Sequence, residues 1–311
     1  MRIKKQSTDY QVYKILSEKQ MSGEEIGKML GITRSAVWKA VNKLRDYGLK
    51  VESTGRSYIL VDKDELNPFE VADITFKRLD DHIDEVIYYE TTDSTNERAK
   101  EYGKSKVLFF AESQTAGKGR LGRKWESQKG GLYFTLSLDP TLEYSELPKI
   151  TLVAGLSVAE AIPKAKIKWP NDVLIRGKKV CGILSELYGE MENPMIVLGI
   201  GINVSNPIPD ELKDVAASIG EFFDLSRREI FDLVLANFGK YYQRLLEGEW
   251  SDLRKKFLKK CETIGKVVKV TTSAEEIIGV AEDLSENGAL IVNGREVYAG
   301  DCIHLRNFKI Q

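Results

Sequence analysis

The chain is poor in the residues that most metal and nucleophile chemistry needs. Its 311 residues include two histidines, His82 and His304, and three cysteines, Cys181, Cys261 and Cys302, all far apart. No CxxC, HExxH or CxH spacing occurs, so no protein-bound transition metal is expected and Ser-His-Asp chemistry is poorly provisioned. Three unpatterned thiols suit a reducing compartment. No apolar run approaches the ~18 residues a membrane helix requires. The longest candidate, from Met195 to Val204, is interrupted by Gly199, Gly201 and Asn203. The opening MRIKKQSTDYQVYKIL lacks the apolar centre of a signal peptide, so a cytoplasmic protein with no membrane partner is expected. Charge of one sign is also missing. Lys and Arg total 46 against 47 Asp and Glu, so any nucleic-acid surface has to be a local patch. At 42% hydrophobic and 30% charged, the chain has the composition of a folded protein, long enough for two or three domains.

Residues 9–60 provide such a patch. Val12, Ile15 and Leu16 share one face of a predicted helix from Asp9 to Lys19. Ser22-Gly-Glu-Glu25 is an S-x-x-E capping signal for a short second helix. Thr33 is a predicted N-cap for a third, Arg34 to Tyr47, closed by Gly48. Val37, Val41 and Leu44 share one face of it, and Arg34, Ser35, Trp38, Lys39, Asn42 and Lys43 the other. A hairpin follows, turning at Thr54-Gly55-Arg56. Between residues 27 and 60, seven cations stand against Asp46 and Glu52. The pattern predicts a winged helix–turn–helix, with the third helix and Arg56 facing DNA. The competing reading is a protein-binding three-helix module with a solvated basic face.

Residues 63–77 carry acids, a proline and weak periodicity, and are expected to form a linker or a connecting helix. From 78 to 264, predicted strands and helices alternate in a way that implies an α+β domain with a mixed, largely antiparallel sheet. From 265 to 311, short strands between turn residues imply a small SH3-like β-barrel.

Gly117, Gly119 and Gly122 have the G-x-G-x-x-G spacing. A dinucleotide fingerprint needs a helix next, but a Gly-Gly pair and a strand follow. Gly122 is not followed by the Lys-Ser/Thr of a P-loop, and no HRD or DFG supports a kinase. What remains is a glycine loop interleaved with Lys118, Arg120, Arg123, Lys124 and Lys129, suited to ordering around an anion. Asp93-Ser-Thr-Asn96, Lys168-Trp-Pro-Asn-Asp172 and Gly199-Ile-Gly-Ile-Asn203 each have a plain structural alternative: a capping box Ser94-x-x-Glu97, a turn on a buried Trp, and a glycine-thinned strand.

Taken in order, these segments closely resemble the bacterial bifunctional biotin–protein ligase and biotin operon repressor family. The resemblance rests on the winged helix, Ser94-Thr-Asn96, Gln114 with Gly117-Lys-Gly-Arg-Leu-Gly-Arg123, Lys168-Trp-Pro-Asn-Asp172, Lys179 with Gly182, and Gly199-Ile-Gly-Ile-Asn203. It implies activation of biotin by ATP and Mg²⁺ to biotinyl-5′-adenylate, then transfer to a lysine of a biotin carboxyl carrier protein. It implies operator DNA as a second partner and a homodimer formed on ligand binding. Biotin is implied to meet Ser94, Thr95, Asn96, Gln114, Lys118, Gly119, Arg120, Trp125, Lys179 and Gly182. ATP is implied to meet Gly117, Lys118, Arg120, Arg123, Lys168, Asn171, Lys179 and Asn203. Lys179, Arg120 and Asp172 are the implied catalytic residues, and the acids that would hold Mg²⁺ are unknown. Lys118 stands where some members have Arg; it keeps the charge but cannot form a bidentate pair. A carboxylate attacking the α-phosphate brings two anions together, so positioned cations can supply the catalysis without histidine. Asp172 either activates the acceptor amine or caps the turn after Trp169-Pro170. A ligand sensor without chemistry and a lipoate ligase remain as alternatives.

Overall fold

The capping signals near the start of the chain do what their spacing predicts. The computed structural model describes residues 1–61, 66–139, 146–189, 194–272 and 274–305. Strand β1 (Arg2–Lys4) leads into α1 (Thr8–Glu18), β2 (Met21–Ser22), α2 (Gly23–Leu30), α3 (Arg34–Asp46), β3 (Val51–Thr54) and β4 (Ser57–Leu60). Ser22 Oγ accepts from the Glu25 N–H at 3.2 Å, and the Glu25 carboxylate accepts from the Ser22 N–H at 2.9 Å. Thr33 caps α3 by accepting from the Ala36 N–H at 3.1 Å. Val37, Val41 and Leu44 form the buried face of α3. The sheet β2-β4-β3 is the wing. Arg45 ties helix to wing, donating to Val51 O and Ser53 Oγ at 2.8 Å each.

Of the two readings of this stretch, linker or connecting helix, the helix is the one found, and it is packed. Residues 63–65 lie outside the described residues, but α4 (Pro68–Arg78) begins at Asn67, whose side chain accepts from the Phe69 and Glu70 N–H groups at 3.0 Å each. Phe69 stacks on Tyr13 at 5.3 Å, Phe76 meets Tyr10 edge-on at 5.0 Å, and the Tyr13 hydroxyl donates to Glu70 at 2.6 Å. This helix is part of the core of the first compact unit, Met1–Tyr88. Its acids disguise the periodicity because one of them, Glu70, is buried against a tyrosine. β1 pairs with the start of β5 (Glu85–Thr92), from Arg2↔Ile87 to Lys4↔Glu85, and nothing in the opening residues signals that strand.

The second unit is Tyr89–Gln311. It contains the end of β5, then α5 (Thr95–Tyr102), β6 (Val107–Gln114), β7 (Leu132–Leu138), α6 (Leu147–Ala161), β8 (Lys166–Lys168), β9 (Asp172–Ile175), β10 (Lys178–Tyr188), β11 (Met195–Ile202), α7 (Arg227–Leu246) and α8 (Trp250–Lys260). The strands β6-β7-β11-β10-β9-β8 are antiparallel at each step. Alternation gives this sheet two different faces. Phe110 and Phe134 meet Phe231 of α7 edge-on at 5.6 and 5.2 Å, on the face that forms the core. Thr135, Gly199, Gly201 and Gly182 point the other way, where α5 and the 115–131 loop lie.

Beyond α8, strands β12 (Val267–Thr271), β13 (Glu276–Leu284), β14 (Leu290–Val292), β15 (Arg295–Val297) and β16 (Asp301–His304) form an antiparallel sheet of order β15-β14-β13-β12-β16. A register shift between Ala281 and Asp283 interrupts the β13–β14 pairing. The expected small SH3-like β-barrel is found only as an antiparallel sheet: among the described residues no pairing of β15 with β16 closes it. Residues 306–311 of the expected 265–311 domain lie outside the described residues.

Candidate active site

The second S-x-x-E sequence does not behave like the first. Ser94 precedes α5 but makes no side-chain cap hydrogen bond. Glu97 turns instead to Lys118 at 3.0 Å and Lys100 at 3.1 Å. Lys118, then Lys100, hold the Glu97 carboxyl below its usual range, against the opposing effect of burial. Gln114, at the end of β6, secures the helix start. Its Oε1 accepts from the Thr95 N–H at 2.8 Å and the Thr95 hydroxyl at 3.2 Å, and its Nε2 donates to Ser127 at 2.8 Å. Thr135 Oγ1 lies 2.7 Å from Asn96 Oδ1, and Asn96 donates to Glu186 at 3.1 Å. A polar recess is thus built from four separate elements.

Its floor is glycine because side chains from above need the room. Gly182 and Gly201 are register partners on β10 and β11. A Cβ at Gly201 would stand 2.4 Å from Trp125 Nε1, and one at Gly182 would stand 2.9 Å from Trp125 Cζ3. At Gly199 it would stand 2.1 Å from Asn96 Oδ1. The Gly-Ile-Gly-Ile spacing therefore sends Ile200 and Ile202 to the core and leaves the other face open to an indole and an amide. The loop above is folded back on itself: Gly119 N–H donates to Arg123 O at 2.7 Å and Trp125 N–H to Gly117 O at 2.8 Å.

The cations converge on one edge of this floor. Lys179 Nζ lies 2.7 Å from Asp172 Oδ1, an ion pair off the hydrogen-bonding direction, and 5.2 Å from the Trp125 ring centre. Arg120 donates to Asn171 Oδ1 and to Gly300 O at 3.1 Å each, and Arg123 donates to Asp301 at 2.8 Å. Burial lowers the Arg120 pKa, opposed by Asp172 and Asp301, and the guanidinium remains charged. Asn171 also donates to Ile183 O at 3.0 Å, pinning the Trp-Pro-Asn-Asp turn to β10. Asn203 is buried and accepts from Asn206 at 3.1 Å.

All ten residues expected around biotin line one cavity. A second is lined by Arg123, Lys168, Asp172 and Asn203 among others. The two share Gly119, Arg120, Trp125, Asn171 and Lys179. Two residues expected at the nucleotide fall elsewhere. Gly117 is packed against the Trp125 carbonyl, where a Cβ would stand 2.5 Å from the oxygen, and Lys118 faces the first cavity and Glu97.

Residues 88–203 match the biotin/lipoate A/B protein ligase family, residues 9–59 an HTH domain, and residues 263–305 the biotin protein ligase C-terminal domain. The bifunctional ligase/repressor BirA of Bacillus subtilis is 33% identical over 306 residues, covering 90% of this chain and 93% of that one. The chain belongs to the bifunctional ligase/repressor family. BirA of Escherichia coli is 29% identical over 289 residues, 87% of each chain. The structure of biotin protein ligase from Aquifex aeolicus in complex with biotin and ATP matches with a TM-score of 0.64 at 36% identity, over 71% of this chain and 99% of that one.

The residues of α3 and the wing expected to face DNA differ in how freely they are exposed. Arg34, Ser35, Trp38 and Lys39 are exposed, as is Arg56 in the wing turn beside Gly55, whose φ is +64°. Lys43 is exposed as well but pairs with Asp9 of α1, and Asn42 accepts from Arg45 of the same helix at 3.1 Å.

Several site residues carry no local signal. Asp301 and Gly300 hold the loop arginines from 178 and 180 positions away. Glu186 and Thr135 support Asn96 and Thr95 in the same way, from 90 and 40 positions away. Their types are ordinary for strands and turns, and only the folded register brings them into reach.

Proposed function

We propose that the chain is a biotin–protein ligase that also represses transcription, with biotinyl-5′-adenylate as both intermediate and corepressor. The observation that carries this reading is the shared wall of the two cavities. Biotin enters the first, its head against Ser94, Thr95, Asn96 and Gln114 and its body along Trp125. ATP enters the second, toward Asn203 and Lys168. The biotin carboxylate and the α-phosphate then meet beside Lys179 and Arg120. A carboxylate oxygen bonds to the α-phosphorus as the bond to pyrophosphate breaks, and the two cations offset the combined negative charge. Arg123 and Lys168 face the departing pyrophosphate.

ATP arrives as its magnesium complex. Among the described residues no group of three or more His, Cys, Asp or Glu is gathered to cage an ion, which fits a hard cation held chiefly by phosphates. Asp172 and Asp301 are carboxylates lining that cavity, and the ion would screen phosphate charge there.

In the second step the neutral amine of the acceptor lysine bonds to the acyl carbon and AMP leaves. Asp172, once Lys179 turns to the ligand, is placed to take the amine proton. A third cavity shares Arg120 and Asn171 with the others and runs beside Ser185 and Leu187 of β10. It offers a path for a lysine of a biotin carboxyl carrier protein. We assign DNA binding to residues 1–62, catalysis to 78–264 and support of the site to 265–311. Arg34, Ser35, Trp38, Lys39 and Arg56 contact operator DNA. Beyond Gly182, β10 has no strand on its β9 side among the described residues, and this edge is available for a second copy when ligand is bound. A dimer would present two wings to two half-sites, and ligand and dimer affinities would be reciprocal. No helix is long and apolar enough to cross a membrane among the described residues, and we place the protein in the cytoplasm, where DNA and carrier are met.

The test is an adenylation assay with biotin and MgATP, detecting pyrophosphate and biotinyl-adenylate, with lipoate as competitor, alongside an operator gel shift with and without biotin. Product and a biotin-dependent shift support the reading. A shift without product would leave a sensor, and preference for lipoate would change the substrate.

A further inference from the structure

The transfer described above uses no histidine, yet one is built into its support. Trp169 opens the turn that carries Asn171 and Asp172. Its backbone N–H follows the end of β8 and donates to Thr263 Oγ1 at 2.9 Å. Thr263 is fully buried, in the segment between α8 and β12. The same oxygen lies 3.0 Å from His304 Nε2, at the end of β16. The groups facing the imidazole are Lys266, whose Nζ is 3.4 Å from Nδ1, Glu262 at 3.8 Å, and Lys168 of β8. An ammonium can only donate, so the Nδ1 that faces Lys266 is the bare nitrogen and Nε2 carries the proton. Thr263 Oγ1 therefore accepts two N–H groups, one from the backbone of the turn and one from the His304 ring on β16. Burial, with Lys266 and Lys168, pushes His304 down to about 4 despite Glu262, so it is neutral at pH 7.

The other end of β16 holds the opposite side of the junction, through Gly300 O on Arg120 and Asp301 on Arg123. We propose that Thr263 and His304 are positioning residues for adenylate formation. They fix the start of the turn that sets Asn171 against Arg120 and Asp172 against Lys179, so the C-terminal sheet helps govern the rate without supplying a reacting group.

The kinetic part of this proposal rests on the function proposed above, and the exchange part does not. The full chain is compared with Thr263→Val, Thr263→Ser, His304→Leu and His304→Gln by hydrogen exchange of the 166–172 segment and by pyrophosphate release. In Thr263→Val and His304→Leu, exchange there should quicken about tenfold while β6 and β7 stay protected, and kcat should fall about tenfold with the biotin KM within about twofold. Thr263→Ser and His304→Gln keep a hydroxyl and an N–H donor and should stay within about twofold of the unaltered chain. Unchanged exchange in the folded apolar variants would overturn the proposal, as would faster exchange with unchanged kcat, or Ser and Gln variants as impaired as Val and Leu. If Thr263→Val does not fold, His304→Leu, at a partly exposed position, decides. If the unaltered chain forms no adenylate, the proposed function fails while the exchange result still judges the contact.

Discussion

In α3, Arg34 and Lys39 stand in solvent on either side of Trp38, which is 53% exposed. In the loop after β6, Arg120 is held by Asn171 and Gly300, Arg123 by Asp301 and Lys118 by Glu97. Both segments are basic and neither stands out in a nearly neutral chain until its local charge is counted. The difference is what surrounds each cation. A solvated cation attracts a polyanion over distance, can slide along it and is weakened by salt. A cation fixed in a recess interacts with a charge developing at one place, with little reorganisation left to make. The S-x-x-E sequences at Ser22 and Ser94 differ in the same way. Ser22 and Glu25 satisfy each other and cap a helix, whereas Ser94 and Glu97 are drawn apart by Gln114, Lys118 and Lys100 beside a cavity.

The contrast can be broken most severely at Lys179. Lys179→Ala should slow pyrophosphate release by about 10²–10³-fold while operator binding by preformed biotinyl-adenylate complex survives. Intact adenylation in that variant would show that the enclosed cations are not catalytic. Next comes the floor: Gly201→Ala places a methyl where the Trp125 indole lies, and biotin affinity by calorimetry should fall roughly tenfold to a hundredfold. In the first unit, Arg34→Ala with Lys39→Ala should flatten the salt dependence of operator binding, lowering the log–log slope by about 1.8, with adenylation unchanged. An unchanged slope would mean that α3 does not face the phosphates. The smallest effect concerns Glu97. Its folded pKa is lowered, so its stabilising contribution is full above the ordinary carboxyl value and is lost as pH falls through the folded one. Glu97→Gln should reduce the fall of the thermal midpoint below about pH 5, by less than ~1 kcal/mol because Lys118 is half exposed.

Much of this was legible beforehand. Helices α2 and α3 follow their caps and apolar spacing, α1, α6, α7 and α8 their apolar spacing, and the glycine-arginine loop and Trp-Pro-Asn-Asp turn that the sequence singles out both line cavities. Less was legible where a residue's partner lies far away. The acids of α4 resemble a linker until Tyr13 covers Glu70. Lys43 looks like a DNA contact until α1 brings Asp9 beside it. Gly117 and Lys118 read as nucleotide contacts until the loop folds and turns them elsewhere.

By itself the sequence determined the order of most elements, the caps of α2 and α3 and the two local concentrations of positive charge. Each depends on spacing within a few residues, which backbone geometry converts directly into a face or a turn. Only the tertiary structure decided which cations are enclosed, which S-x-x-E is a cap, and that β16 grips both the loop and the turn. Those outcomes depend on partners up to 180 positions apart, such as Arg120 and Gly300, and on desolvation that exists only after the sheet has formed around them.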